Sequence, residues 1–170
     1  MDLPIKTQRL YITEFDKSMA ESVHLNSLDE DNRRFIPDEV FETVDAARQA
    51  LDALISFYSM SNSPLVYPVF LNEGQQIGHV QVFPENNNWE LGYQVAKQFT
   101  NNGYATEAVS AFLPLVMNKL GITEILAVCR ADNEASRRVL EKCGFALKAM
   151  EHALHHGEQH LICRYRRLAQ

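Results

Sequence analysis

The sequence predicts an α/β fold, with a mixed, mostly antiparallel central sheet, one parallel strand pair and about four helices. Three observations carry this prediction. Three strand patterns follow one another closely between residues 66 and 95, separated only by turn signals, as in an antiparallel meander. The last of them runs through a glycine-bearing turn into a helix, and a further apolar strand follows at Glu124 to Cys129. A strand–helix–strand crossover of this kind returns to the same sheet and makes its two strands parallel neighbours. Helical patterns before the meander and a hairpin pattern at the end complete the order β-α-α-β-β-β-α-β-α-β-β.

Gln8 to Phe15 alternates apolar and polar residues and reads as a strand. Lys17 to Leu28 reads as a helix capped by Asp16 or Ser18, and Arg33-Arg-Phe-Ile-Pro37 reads as a break. Thr43 caps a second helix, whose apolar stripe is Ala47, Leu51, Leu54, Ile55 and Tyr58. The meander comprises Val66 to Leu71, Gln76 to Phe83 and Trp89 to Val95, with Asn72-Glu-Gly74 and Asn86-Asn-Asn88 as turns. Tyr104 to Leu120 is a helix that buries Ala105, Ala108, Val109, Phe112, Val116 and Leu120. Pro114 should kink it and Gly121 should end it. A short helix, Asn133 to Lys142, stops at Gly144. Phe145 to Leu154 and Gln159 to Leu168 then form a hairpin around Gly157, with Arg164-Tyr-Arg-Arg167 as a charged edge strand.

With 170 residues, 46% hydrophobic and 22% charged, the chain is expected to form one globular domain, residues 1–170, with a core that needs no staples. Cys129, Cys143 and Cys163 follow no CxxC or metal spacing, which suits packing in a reducing compartment. The start has no apolar signal segment and no run is long enough to span a membrane, so a cytoplasmic protein is expected, with no membrane partner. Residues 1–97 carry 15 acidic against 7 basic side chains, and residues 98–170 carry 7 against 9. This asymmetry favours a cationic ligand for the first half and an anionic one for the second, although an uneven solvated surface explains it equally well. No dense basic stripe points to nucleic acid. His152, His155, His156 and His160 gather at the last hairpin, but no helical H-x-x-x-H or cysteine partner supports a metal, and no metal site is expected.

The most informative stretch is Trp89 to Val95, Thr100-Asn-Asn-Gly103 and Tyr104 onward. The first amides of a helix lack internal partners, and the helix dipole adds positive charge there, so a strand–turn–helix of this kind holds anions, phosphate above all.

Four segments resemble the GNAT superfamily of acyl-CoA-dependent N-acetyltransferases, in particular the branch containing the ribosomal-protein N-terminal acetyltransferases. They are Thr7-Gln-Arg-Leu-Tyr-Ile12, Glu90-Leu-Gly-Tyr93, Gly103-Tyr-Ala-Thr-Glu-Ala108, and Asn133-Glu-Ala-Ser136 with Leu140-Glu-Lys-Cys-Gly-Phe145. They lie in the branch's order and spacing across nearly the whole chain. Two departures stand out. Thr100 and Asn101 occupy positions where relatives carry Arg or Gln and a further glycine, and Asn tolerates the left-handed backbone such a turn needs. Leu140 stands where many relatives place a general-acid tyrosine.

The resemblance implies acetyl-CoA as co-substrate and a primary amine, on a small molecule or a protein N-terminus, as acceptor. It implies that the parallel strands splay apart and that the pantetheine arm lies between them. Thr100, Asn101, Asn102, Gly103, Tyr104, Ala105 and Thr106 would hold the pyrophosphate through backbone amides. Tyr93, Val95 and Asn133 would contact the arm, with Asn133 also capping its helix, and the Val95 amide would stabilise the oxyanion. Glu90 is the candidate base, acting through water, and Ser136 the candidate acid for the departing thiolate. Arg33, Phe35, Glu90 and Tyr93 would line the acceptor pocket. A homodimer paired through the last hairpin is compatible with the pattern. The competing reading is a CoA-binding regulatory module that has lost catalysis, motivated by Thr100, Asn101 and Leu140.

Overall fold

The computed structural model describes residues 1–169. The first strand pattern is divided in two, β1 (Ile5–Lys6) and β2 (Leu10–Ile12), which pair antiparallel with Ile5 opposite Ile12. Asp16 accepts from the Ser18 amide at 2.7 Å and starts a 3-10 turn that leads into α1 (Ala20–Ser27). The expected break at Arg33 lies later. Residues Glu30–Phe35 form a short helix, α2, because Asp29 accepts from the Asn32 amide at 2.8 Å, with Glu30 and Asp31 in its first turn and Arg33 and Arg34 in its last. That charge order suits the helix dipole, and the helix gives way at Ile36 to a 3-10 turn, Pro37–Glu39. The described residues therefore hold five α-helices, one more than the sequence pattern indicated. Thr43 caps α3 (Val44–Phe57) through the Ala46 amide, as expected.

The meander forms as β3 (Leu65–Leu71), β4 (Gln76–Glu85) and β5 (Asn88–Val95). It is followed by α4 (Tyr104–Leu120), β6 (Glu124–Arg130), α5 (Glu134–Lys142), β7 (Ala146–His155) and β8 (Glu158–Leu168). Helix α4 continues through Pro114, which lies on its exposed side where the lost hydrogen bond faces water.

The eight strands make one sheet in the order β1-β2-β3-β4-β5-β6-β8-β7, antiparallel except at β5 and β6. Those two pair in register only at Glu90 and Leu126 and part beyond it. The last hairpin differs from expectation. Strand β8 lies inside the sheet, between β6 and β7, and β7 is the edge. Tyr165 is buried, while Arg164 and Arg166 alternate to the other face and pair with Glu151 (2.6 Å) and Glu124 (3.0 Å) on the flanking strands. Cross-strand carboxylates, not an open edge, explain the arginine run.

Helices α1 and α3 pack on one face of the sheet, around Phe15, Ala20, Leu51 and Val66. On the other face, Val109, Phe112, Leu113 and Val116 of α4 meet Leu10, Ile12, Val80, Val82 and Leu91. Strand β3 is buried along its whole length, covered on both faces.

Candidate active site

A cleft of about 570 Å³ opens where β5 and β6 part. One end is the turn between β5 and α4. Asn101 adopts φ 64° and Gly103 φ 79°, so both occupy the left-handed region. Asparagine and glycine are the residues that enter it at low cost. The turn's side chains bond inward: Thr100 Oγ1 donates to the Lys97 carbonyl (2.8 Å), and Asn102 Nδ2 donates to the carbonyls of Phe99 (3.1 Å) and Thr100 (3.0 Å). The first helical bond of α4 runs from the Glu107 amide to the Gly103 carbonyl at 3.0 Å. The amides of Tyr104, Ala105 and Thr106 precede that ladder and lie at the cleft.

Arg9 braces this turn from behind. Its Nε donates to Glu107 Oε2 at 2.7 Å, its Nη1 to the Asn102 carbonyl at 2.9 Å, and its guanidinium lies 4.6 Å from the centre of the Tyr104 ring. Thr7 Oγ1 and the Arg9 amide also donate to Glu107, at 2.6 and 2.9 Å. Burial works to raise the Glu107 pKa, but these donors bring it below the ordinary carboxylate value.

The register of β4 against β5 sorts the middle of the cleft. Val95 faces Gly78. The next amide, Ala96 N, donates to the Ile77 carbonyl at 2.9 Å, so Val95 belongs to a non-hydrogen-bonded pair. Its own amide therefore turns from β4 toward the gap beside β6. Gly78 permits this approach, since a Cβ there would lie 2.0 Å from the Gln94 carbonyl oxygen.

Pairs Glu90–Phe83, Gly92–Gln81 and Gln94–His79 share one face of the sheet. Tyr93 points to the opposite face. Its hydroxyl lies 3.0 Å from the Ser136 carbonyl and 2.8 Å from Ser136 Oγ. Burial pushes the Tyr93 phenol well above its usual range. Asn133 caps α5 by accepting from the Ser136 amide at 3.1 Å. Burial raises the Glu90 carboxyl to about 7, with Glu85 adding to the rise and Arg164 and His156 opposing it.

The structure brings to one cleft Glu90, Tyr93, Val95, Thr100, Asn101, Gly103, Tyr104, Ala105, Thr106, Asn133, Ser136 and Phe35. Two predicted residues stand apart. Asn102 turns inward as described, and Arg33 lies outside the lining with its guanidinium paired to Glu42. Tyr93 lines the cleft but from the face opposite Glu90, beside α5 rather than α2. Leu140 is buried and offers no hydroxyl.

Several lining residues escaped the sequence reading. Arg138 and Lys142 of α5 bring positive charge to the cleft beside the neutral turn, and Lys142 has no carboxylate partner among the described residues. Glu39, Gln81 and Phe83 line the end near Glu90. His155 and His156 do so as well, and burial followed by His156 and His160 lowers His155 to about 4. The strand parity of Gln81 and Phe83 was visible, but their shared face with Glu90 needed the register.

A carboxyl raised to about 7 by burial, a strand amide turned to a gap, and a left-handed turn before a helix thus meet in one cleft. The chain belongs to the acetyltransferase (GNAT) domain family, whose model matches residues 9–146. It is an acetyltransferase. It is 28% identical over 142 residues to the uncharacterised N-acetyltransferase YnaD of Bacillus subtilis, covering 82% of this chain and 81% of that one. A GNAT-family acetyltransferase from Bacillus anthracis superposes with a TM-score of 0.84 at 27% identity, covering 98% of both chains. RimL, a ribosomal alpha-N-protein acetyltransferase solved in complex with coenzyme A, superposes with a TM-score of 0.84 at 20% identity, again over 98% of both chains, and so shares the fold.

Proposed function

We propose that the protein is an acetyl-CoA-dependent N-acetyltransferase that moves the acetyl group to a primary amine, of a small molecule or a protein N-terminus, by direct attack in a ternary complex. The observation that carries this reading is the arrangement along β5: Glu90 at one end, the outward-turned Val95 amide in the middle, and the Asn101–Gly103 turn at the other.

The residues present fit the co-substrate. Backbone amides from Asn101 to Thr106 suit its pyrophosphate, and Arg138 and Lys142 supply the positive charge that Thr100 lacks. Bound there, acetyl-CoA supplies an activated acetyl group as a thioester. Tyr93, Val95 and Asn133 border the route of its arm. That RimL, which has the same fold, is solved in complex with coenzyme A supports an acyl-CoA co-substrate.

Glu90, near neutrality in its pKa, takes a proton from the acceptor ammonium through water. The amine nitrogen then forms a bond to the carbonyl carbon while the carbonyl oxygen gains charge facing the Val95 amide. The carbon–sulfur bond breaks as the nitrogen sheds its second proton, and the thiolate takes a proton through the Ser136 hydroxyl, which Tyr93 holds in place and which is reprotonated in turn by the proton the nitrogen releases. Thiolates leave readily, so this last group matters least. The three cysteines are free and buried, which supports a reducing cytoplasm.

Leu140 favours a second reading, a CoA-binding module without catalysis. A thermal-shift titration with acetyl-CoA, followed by thiol-release assays on a panel of amines, separates the two. The proposal expects both a shift and amine-dependent thiol release. A shift with no release on any amine would favour the module, and no shift would remove both.

A further inference from the structure

Glu39, which ends the turn after α2, faces the cleft on the same side as Glu90. Gln81 Nε2 donates to its Oε1 at 2.6 Å, and His79 Nε2 lies 3.0 Å from its Oε2. Gln81 reaches it only because position 92 is glycine: a Cβ there would lie 2.7 Å from Gln81 Nε2. Burial alone would raise the Glu39 pKa, but His79 and Gln81 hold it below the ordinary value, so the group is anionic at neutral pH.

The neighbouring charges at this end are matched. Lys97 pairs with Asp31, and His156 Nδ1 donates to Asp38 Oδ2 at 2.6 Å. Arg130 meets Asp132 through two bonds, of 2.9 and 2.7 Å, and Arg34 meets the same carboxylate at 2.8 Å. Two carboxylates face the cleft beside these pairs: Glu39, held by Gln81 and by His79 at 3.0 Å, and Glu90, whose strand partner Phe83 is one strand repeat from Gln81, about 7 Å along β4. Each carboxylate oxygen of Glu39 has a second acceptor direction unused by its present partner.

We propose that Glu39 selects the acceptor, and that the acceptor is an amine bearing a second cationic group a few carbons from the first, a short diamine in its simplest form. This rests on the N-acetyltransferase reading above. One ammonium is deprotonated beside Glu90 and attacks, and the other stays charged against Glu39. A free α-amino acid would bring its own carboxylate into this acidic end, where like charge disfavours it.

The test compares kcat/KM for 1,4-diaminobutane and for butylamine, by thiol release from acetyl-CoA, in the wild type and in Glu39→Gln and Glu39→Asp. The glutamine keeps the bond to Gln81 and removes the charge. The wild type should prefer the diamine by about tenfold. Glu39→Gln should bring the ratio close to one, mainly through the KM for the diamine, and Glu39→Asp should restore part of it. A wild type that turns over butylamine or another panel amine without preferring the diamine overturns the proposal alone, as does a ratio unchanged in Glu39→Gln. Acetyl-CoA binding without turnover of any amine overturns the underlying N-acetyltransferase reading instead.

Discussion

Arg9 Nε donates to Glu107 Oε2 at 2.7 Å across 98 residues of sequence, and joins the start of the sheet to the helix that follows the anion-binding turn. Arg9 also holds the Asn102 carbonyl, so the same side chain positions both the helix and the turn. Glu107→Ala removes the acceptor for Thr7, the Arg9 amide and the Arg9 side chain together. Chemical denaturation should show a loss of about 1–3 kcal/mol, and acetyl-CoA affinity should fall with it. Unchanged affinity at equal destabilisation would mean that the turn holds its shape without the brace.

The turn itself should tolerate loss of a side chain but not of its backbone conformation. Gly103 has φ 79°, and a Cβ there would meet only Arg9 Nη2, at an ordinary contact distance of 3.6 Å, so the strain on a substitution comes from the backbone and not from a clash. Gly103→Val should abolish acetyl-CoA binding by calorimetry. Thr100→Ala, which removes only a bond to the Lys97 carbonyl, should leave it nearly unchanged. Equal losses in the two variants would contradict an amide-based site.

Positive charge for the phosphates should come from α5. Lys142→Ala should weaken acetyl-CoA binding about fivefold at low salt, and the difference should shrink near 0.5 M salt, where the screening length is only a few ångströms. A difference that is independent of salt would point to packing rather than charge.

Much of this was legible in the sequence, for reasons that differ by residue. Asn101 and Gly103 declared their turn because few other residues accept a left-handed backbone, and both do. The parallel pair followed from the crossover. Helix α2 was missed because its start depends on one side chain, Asp29, bonding a backbone amide. The arginines of β8 read as an edge because composition does not reveal that β8 inserts between β6 and β7. Glu39 was hidden for a related reason: its role depends on Gln81 crossing Gly92, a contact between three segments that no local pattern encodes.

The raised pKa of Glu90 makes two linked predictions. As a base it must be ionised, so kcat/KM should rise with pH through about 7, and Glu90→Gln should flatten that limb and lower kcat by about 10²-fold or more. A carboxyl whose folded pKa lies above its ordinary value of 4.5 binds its proton more tightly in the native state, so its contribution to stability falls as pH rises from that value through about 7. Glu90→Gln should therefore gain in Tm relative to wild type between pH 5 and pH 8. A constant Tm difference over that range would place the carboxyl in water, with an ordinary pKa.

Two-substrate initial-rate kinetics would show whether acetyl transfer to an amine takes place within a ternary complex. Thiol release would be followed while acetyl-CoA and a diamine acceptor are varied against each other. Amine-dependent release is expected, with double-reciprocal lines that intersect, as when both substrates occupy the cleft before the carbon–sulfur bond breaks. Parallel lines, which signal an acetylated enzyme, or saturable acetyl-CoA binding with no amine-dependent release, would contradict it.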